Sequence, residues 1–381
     1  MSRVLLCCVL LLALTGCAGR HVRPDSGYAM NEPQMTLRVA FDQAGHIYPR
    51  DAEQVPWDTV ELKPVGAAFG RYGLRLAEIK DITGRKPYTE ELRAVIQRDA
   101  IDRLNRMLEN QDTLVILIHG FNEQYDDAKK NFDTFRIALH PVRHPILEVY
   151  WDGLTIPFRE NAGEFSGLSR LSFWPEAVLY SSLAGQIGLR PLLEGIERPV
   201  DVRILTFSRG AAVALSAVSN SKFDDQFKDR YAKAPFAMST PRLRSVKMGL
   251  VAAAVGTGHI NDDSDARLGQ PVDVISGLNP RDFAVSKTIL PTRTYGDTSL
   301  GGDREYLLSE IALDRKMLQL QGVEFKHGSS HSLPNYAFKK GVAGQGLTPS
   351  MSCLLYLLDL RPQADACTDD VWLPKYPDPR P

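Results

Sequence analysis

The sequence predicts an α/β fold, a mostly parallel sheet covered by helices on both faces, with a cap insertion at about residues 153–198. Three observations predict it. Apolar runs of strand length recur along the chain. The clearest is Thr113-Leu114-Val115-Ile116-Leu117-Ile118, and such uninterrupted runs belong to strands buried on both faces. Between the runs lie segments whose apolar residues return near a 3.6-residue period, the signature of helices. Alternation of the two specifies parallel strands joined by crossover helices.

Composition agrees. The 381 residues include 44% hydrophobic and 24% charged side chains, the balance of a folded chain rather than a disordered one. Lys+Arg number 45 against 46 Asp+Glu, a net charge of −1, which argues against nucleic acid as the main partner because phosphate binding needs a basic excess.

Residues 1–16 read as a signal peptide: Arg3, an apolar run over 4–14, then Leu14-Thr15-Gly16-Cys17. Eleven apolar residues at ~1.5 Å each cover about half of a ~30 Å hydrocarbon core, so the run is too short to span a membrane. The Leu-x-Gly-Cys ending resembles the lipobox of bacterial lipoproteins. That resemblance implies cleavage before Cys17, acyl chains on its sulfur and amine, and a membrane anchor. Ala18, in place of an aspartate, points to the periplasmic face of an outer membrane in a Gram-negative source. The alternative is a plain signal peptide with Cys17 there by coincidence. Residues 17–34 are polar and read as a tether. Cys7 and Cys8 leave with the signal, so Cys353 and Cys367 stay behind, either as a disulfide or as two separate thiols.

A single domain over 35–373 follows, with a frayed, proline-rich tail at 374–381. Residues 36–40 and 72–79 are strand-like, and Leu92, Val95, Ile96, Ile101, Leu104 and Leu108 mark a helix over 89–109. Strand 113–118, helix 126–139 and strand 146–151 come next. The insertion at 153–198 contains a helix near 175–189 and the aromatics Phe158, Phe165, Phe173 and Trp174, which pack the cap or line an apolar pocket. Strand 202–207, helix 209–220, strands 246–255 and 272–275, helix 282–290 and a last strand at 323–327 continue the alternation. Helices at 336–340 and 350–358 close it.

Two loops carry the candidate chemistry. In Thr206-Phe207-Ser208-Arg209-Gly210 a buried strand turns sharply into a helix, which lifts the serine hydroxyl out of the sheet. Such a turn needs small neighbours. Gly210 meets that need, whereas Thr206 stands where glycine is usual. The competing reading is a helix N-cap serine. His119-Gly120-Phe121-Asn122 follows the earlier buried strand, and the backbone N–H groups of Phe121 and Arg209 could together receive the charge of an oxyanion. His119 itself is read as structural.

These motifs resemble the α/β-hydrolase superfamily, and more narrowly a bacterial branch of uncharacterised hydrolases whose first motif reads His-Gly-Phe-Asn. Asp282-Phe283-Ala284-Val285-Ser286 and His331-Ser332 match the branch's later motifs, except that this serine comes two positions early and Phe207 replaces a common histidine. The resemblance covers roughly residues 113–336 and implies a Ser208, Asp282, His331 triad in the nucleophile, acid, base order of that superfamily. The residue types suit the roles. Serine needs a base to take its proton, imidazole titrates near ~6.5, and a carboxylate fixes the imidazole's tautomer. Asp282 as a helix N-cap, or Asp262, Asp263 or Asp265 as the acid, are the alternatives; for the base they are His327 and His259. No cluster has metal-ligand spacing and no phosphate loop is present, so neither metal nor cofactor is expected. The expected function is a lipid-anchored serine hydrolase of carboxylic esters. Its rivals are a non-catalytic envelope binding protein on the same fold and a lipase or phospholipase acting on the membrane.

Overall fold

Successive side chains of a strand point to opposite faces, so an uninterrupted apolar run feeds two cores at once. A computed structural model describes residues 17–19, 35–41, 45–47, 85–121, 123, 125–141, 143–151, 154–156, 177–219, 242–256, 259–260, 271–286, 298–313, 315, 317–362 and 367–373. In chain order the strands are β1 (Cys17–Gly19), β2 (Thr36–Phe41), β3 (Thr113–Ile118), β4 (Ile146–Trp151), β5 (Leu154–Ile156), β6 (Val200–Phe207), β7 (Leu243–Val251), β8 (Val272–Leu278), β9 (Leu318–Glu324) and β10 (Trp372–Leu373). Eight of them form one sheet in the order β10-β9-β8-β7-β6-β3-β4-β2. Every neighbouring pair is parallel except β10 with β9.

The helices are α1 (Arg85–Leu108), α2 (Tyr125–Leu139), α3 (177–194), α4 (Gly210–Val218), α5 (Ser299–Gly302), α6 (Arg304–Ala312), α7 (Leu333–Ala337) and α8 (Pro349–Leu357). Leu114, Ile116 and Ile118 of β3 face a core shared with α1, α3, α4, α5 and α6. Val115 and Leu117 face the opposite core, built with α2, α7 and α8. This is an α/β fold with both faces of the sheet covered. The Cys353–Cys367 disulfide, with Cα atoms 4.8 Å apart, ties α8 to the segment that leads into β10.

Several bounds differ from the sequence reading, each for a local reason. β7 stops at Val251 because Ala252 adopts φ 51°, which turns the chain out of the ladder. β8 runs on to Leu278 because Ser276 and Gly277 stay paired with β9, and the buried Ser276 hydroxyl donates to Leu300 O. The last parallel strand ends at Glu324, so 325–327 is loop. The helix expected at 336–340 is α7, which starts earlier and gives way to a 3-10 turn at Lys339–Gly341. No helix starts at Asp282. Residues 283–286 form turns, because the Asp282 carboxylate accepts the Ala284 N–H and stops regular propagation. Helices α5 and α6 were not foreseen.

Of the expected cap insertion at 153–198, residues 154–156 and 177–198 are among those described. Its second half is α3, which passes through a π-helical segment at Ala184–Leu189 and buries Leu189, Leu192 and Leu193 in the α4 side of the core. Arg190 of α3 donates to the Ser216, Ala217 and Ser219 carbonyls, capping the C-terminal end of α4. Its first half, apart from β5, lies outside the described residues. The expected tether begins as β1, paired antiparallel with β5. The expectations for residues 1–16, 72–79 and 374–381, and for Asp262, Asp263 and Asp265, also fall outside the described residues. No described helix is long and apolar enough to cross a membrane.

Candidate active site

The site lies where the chain's path across the sheet reverses. From β3 the sheet continues through β4 and β2 on one side, and from β6 through β7 to β10 on the other. Crevices at the carboxyl ends of such diverging strands are where open α/β sheets place ligands. Ile118 pairs with Thr206, so the loops after β3 and β6 emerge side by side.

The β6–α4 turn is held from several directions. Ser208 takes φ 52°, its N–H donates to Val251 O at 2.9 Å, and its carbonyl accepts from Ala254 N at 3.2 Å. A Cβ on Gly210 would lie 2.5 Å from His119 O and 2.9 Å from Ile118 O, so the close approach of α4 to the end of β3 requires glycine. The Arg209 side chain is fully buried and donates to Ser181 Oγ at 3.0 Å and Ala254 O at 2.8 Å, tying the turn to α3 and to the end of β7. Thr206 fits inside the sheet with no exposure, and its hydroxyl has no partner among the described residues.

Beside it, His119 is a fixture of the β3 loop. Its Nε2 accepts the Trp151 N–H at 3.0 Å, its Nδ1 lies 2.7 Å from Gly120 O, and its ring stacks on Trp151. A Cβ on Gly120 would sit 3.1 Å from Ser208 Cβ and 2.9 Å from Glu123 Oε1. Glycine thus lets the loop carrying Phe121 lie against the serine, opposite the Arg209 end of the elbow. Glu123 is almost buried, and burial pushes its carboxyl up to about 7 despite hydrogen bonds from Asn131 and Gly120.

Asp282 and His331 arrive from farther along the same sheet edge, beyond β7, on the loops after β8 and β9. Ser208 Oγ lies 2.9 Å from His331 Nε2, and His331 Nδ1 lies 2.7 Å from Asp282 Oδ2. The Asp282 N–H donates to Asn279 O and the Phe283 N–H to Ser329 O, which fixes one loop on the other. The Asp282 carboxylate is fully buried. Burial alone would raise its pKa, but hydrogen bonds from His331, Tyr336 and the Ala284 N–H outweigh that and hold it below the usual carboxylate value. The His331 ring lies between Phe207 and Phe283, with centroids 4.8 and 6.4 Å away, and Phe283 is 51% exposed at the rim.

The structure therefore brings together Ser208, His331 and Asp282. His327 and His259 stand outside that line of contacts. His327 Nε2 lies 3.1 Å from Asn279 Nδ2, and burial lowers its pKa. His259 is fully buried near the Arg209 guanidinium; burial and that cation hold it well below the ordinary histidine value. Among the described residues no group of carboxylates, histidines and cysteines could hold a metal ion.

Sequence reasoning missed Tyr336, whose hydroxyl donates to Asp282 Oδ2 at 2.5 Å. Its only sign was a tyrosine among apolar residues, whose buried hydroxyl needs an acceptor that the sequence does not name. It also missed Glu123. Chemically, the arrangement offers a hydroxyl oxygen whose proton has an acceptor, and an imidazole whose opposite nitrogen is held by a carboxylate.

No family model matches the chain, and no curated protein matches it. One solved structure with some similarity is that of the Tle1 effector bound to the VgrG spike from the Type 6 secretion system. It is 13% identical over 45% of this chain and 46% of that one, with a TM-score of 0.17, too low to carry an argument.

Proposed function

We propose that the chain is a serine hydrolase of the α/β-hydrolase type that cleaves carboxylic esters through an acyl-enzyme. The observation that carries this reading is the continuous hydrogen-bonded line from Ser208 through His331 to Asp282, beside a glycine turn at the carboxyl edge of the sheet. Ser208 Oγ attacks the ester carbonyl carbon while its proton passes to His331 Nε2. The carbonyl oxygen becomes an oxyanion at the Phe121 and Arg209 N–H groups. Collapse expels the alcohol, which takes the proton back from His331, and water repeats the sequence on the acyl-enzyme. Asp282 keeps the imidazole in the productive tautomer and stabilises its charged form.

The Leu14-Thr15-Gly16-Cys17 ending supports a lipid anchor in the bacterial envelope. An anchor of that kind would hold the protein at a bilayer whose lipids carry carboxylic esters, so membrane lipid joins small esters as a candidate substrate. The test is hydrolysis of p-nitrophenyl esters and of phospholipid vesicles by the purified protein and by Ser208→Ala. The expected result is turnover of the p-nitrophenyl esters and its loss by at least about a thousandfold in the variant, with the vesicles showing whether membrane lipid is also cleaved. Equal rates for the two proteins would refute the reading.

A further inference from the structure

Asp282 Oδ2 is shared. His331 Nδ1 lies 2.7 Å from it and the Tyr336 hydroxyl 2.5 Å, while Oδ1 takes the Ala284 N–H at 2.8 Å. Tyr336 is completely buried, and its ring packs against Phe207, Phe325 and His327 with centroids 6.1, 5.0 and 3.9 Å away. Two elements thus converge on one carboxylate oxygen. The loop after β9 delivers the imidazole, and α7, which begins two residues after His331, delivers the phenol.

We propose that Tyr336 is a positioning residue of the site, whose hydroxyl draws charge from Asp282 Oδ2 and so sets the pH at which His331 is free to accept a proton. This rests on the hydrolase reading for its consequence in turnover, but the coupling itself is a property of the three side chains. A carboxylate oxygen that serves two donors offers less charge to each. Removing the phenol hydroxyl leaves the whole of that oxygen to the imidazole, so the imidazolium is better stabilised and releases its proton at higher pH.

The other groups that face the pair do not supply this effect. Ser208 is on the opposite ring nitrogen of His331. His327 feels both Asp282 and His331, yet burial keeps it on the neutral side of its ordinary value. Asn279 is uncharged and touches the phenol oxygen at 3.4 Å. Arg281 is exposed to solvent, and Glu123 lies beyond Ser208 against Gly120. Burial, together with the neighbouring carboxylate, drives the Tyr336 hydroxyl well above the ordinary phenol range, so it stays a donor throughout the working pH.

Tyr336→Phe keeps the ring and its packing and removes only the donor. The decisive measurement is the titration of His331 by NMR of protein labelled with 15N-histidine, the signal being assigned by its disappearance in His331→Gln. The midpoint should rise by about half to one pH unit in Tyr336→Phe, as expected for part of a charged hydrogen bond being transmitted to the imidazole. Replacing Tyr336 with 3-fluorotyrosine, a stronger donor with the same shape, should move it downward and covers the case of a phenylalanine variant that fails to fold. The acidic limb of fluorophosphonate labelling should follow the same shifts. Midpoints that coincide in all three proteins would overturn the proposal, because a purely structural tyrosine would change stability without moving them. Midpoints that shift while no protein labels would remove the hydrolase reading alone, since the titration is read without turnover.

Discussion

Ser208 holds φ 52°, a left-handed conformation that costs a non-glycine residue about 1–3 kcal/mol. The cost is met by three backbone hydrogen bonds around it, one through its N–H to Val251 and two at its carbonyl, from Ala211 and Ala254. Two candidate bases compete on the following loop. His331 reaches the serine because the chain runs on past Gly328-Ser329-Ser330, whereas His327 turns toward Asn279 and Tyr336. The proposed mechanism therefore assigns different losses to the two. His331→Gln should lower the rate of ester turnover by at least about a thousandfold, and His327→Gln should keep it within about tenfold of the parent. Steady-state rates on one ester check both. That Ser208, Asp282 and His331 meet was legible because the proposed roles each demand a particular residue type at a strand end. Tyr336 was not, since a tyrosine in an apolar helix looks the same whether its hydroxyl meets a backbone carbonyl or a buried carboxylate.

At the scale of elements, the elbow works only if α4 starts close against the end of β3. Gly210 permits this, and the atoms a methyl group would meet are backbone oxygens that cannot swing aside. Gly210→Ala should destabilise the protein by about 1–3 kcal/mol, as overpacking does. It should also slow labelling of Ser208 more than its stability loss explains, because the Arg209 N–H moves with the helix start. Chemical denaturation and labelling kinetics at one temperature separate the two effects. The same comparison shows what sequence patterning can carry. β3 and β4 were read with their true bounds because the apolar run of β3 is unbroken up to His119-Gly120 and that of β4, interrupted by Glu148 alone, ends at Trp151-Asp152. β8 was read short because Ser276 and Gly277 look like strand breakers, yet here they face tight contacts with α5 and with Phe325. The helix expected after Asp282 rested on an aspartate that resembles an N-cap; its carboxylate does accept a nearby N–H, but in a turn whose other oxygen serves His331. α3 matches a helix expected near 175–189, but the aromatics before it placed that helix in a cap, whereas it buries small and aliphatic residues against α4.

The molecule as a whole buries ionisable groups whose effects on stability run in opposite directions with pH. Asp282 has a lowered pKa when folded, so the stability it contributes is present above the ordinary aspartate value and is lost as pH falls through its folded one. Glu123 is the reverse, raised from 4.5 to about 7 mainly by burial. Between those values the folded protein keeps a proton that the unfolded chain has released, so stability falls as pH rises, by up to about 3 kcal/mol in total. Glu123→Gln cannot ionise and should flatten this slope, leaving the variant more stable than the parent at pH 8 and similar to it at pH 4.5. Urea midpoints across that range check the prediction; parallel curves would contradict it. Because Glu123 lies against Gly120, its charge also sits behind the turn that faces Ser208. The proposed hydrolysis depends on the reactivity of one hydroxyl, that of Ser208. Its most direct measurement is exposure of the purified protein to a fluorophosphonate at neutral pH, with the adduct located by peptide mass spectrometry. One adduct is expected, on Ser208, absent from Ser208→Ala and from denatured protein. An unlabelled native protein, or an adduct that persists in Ser208→Ala, would contradict it.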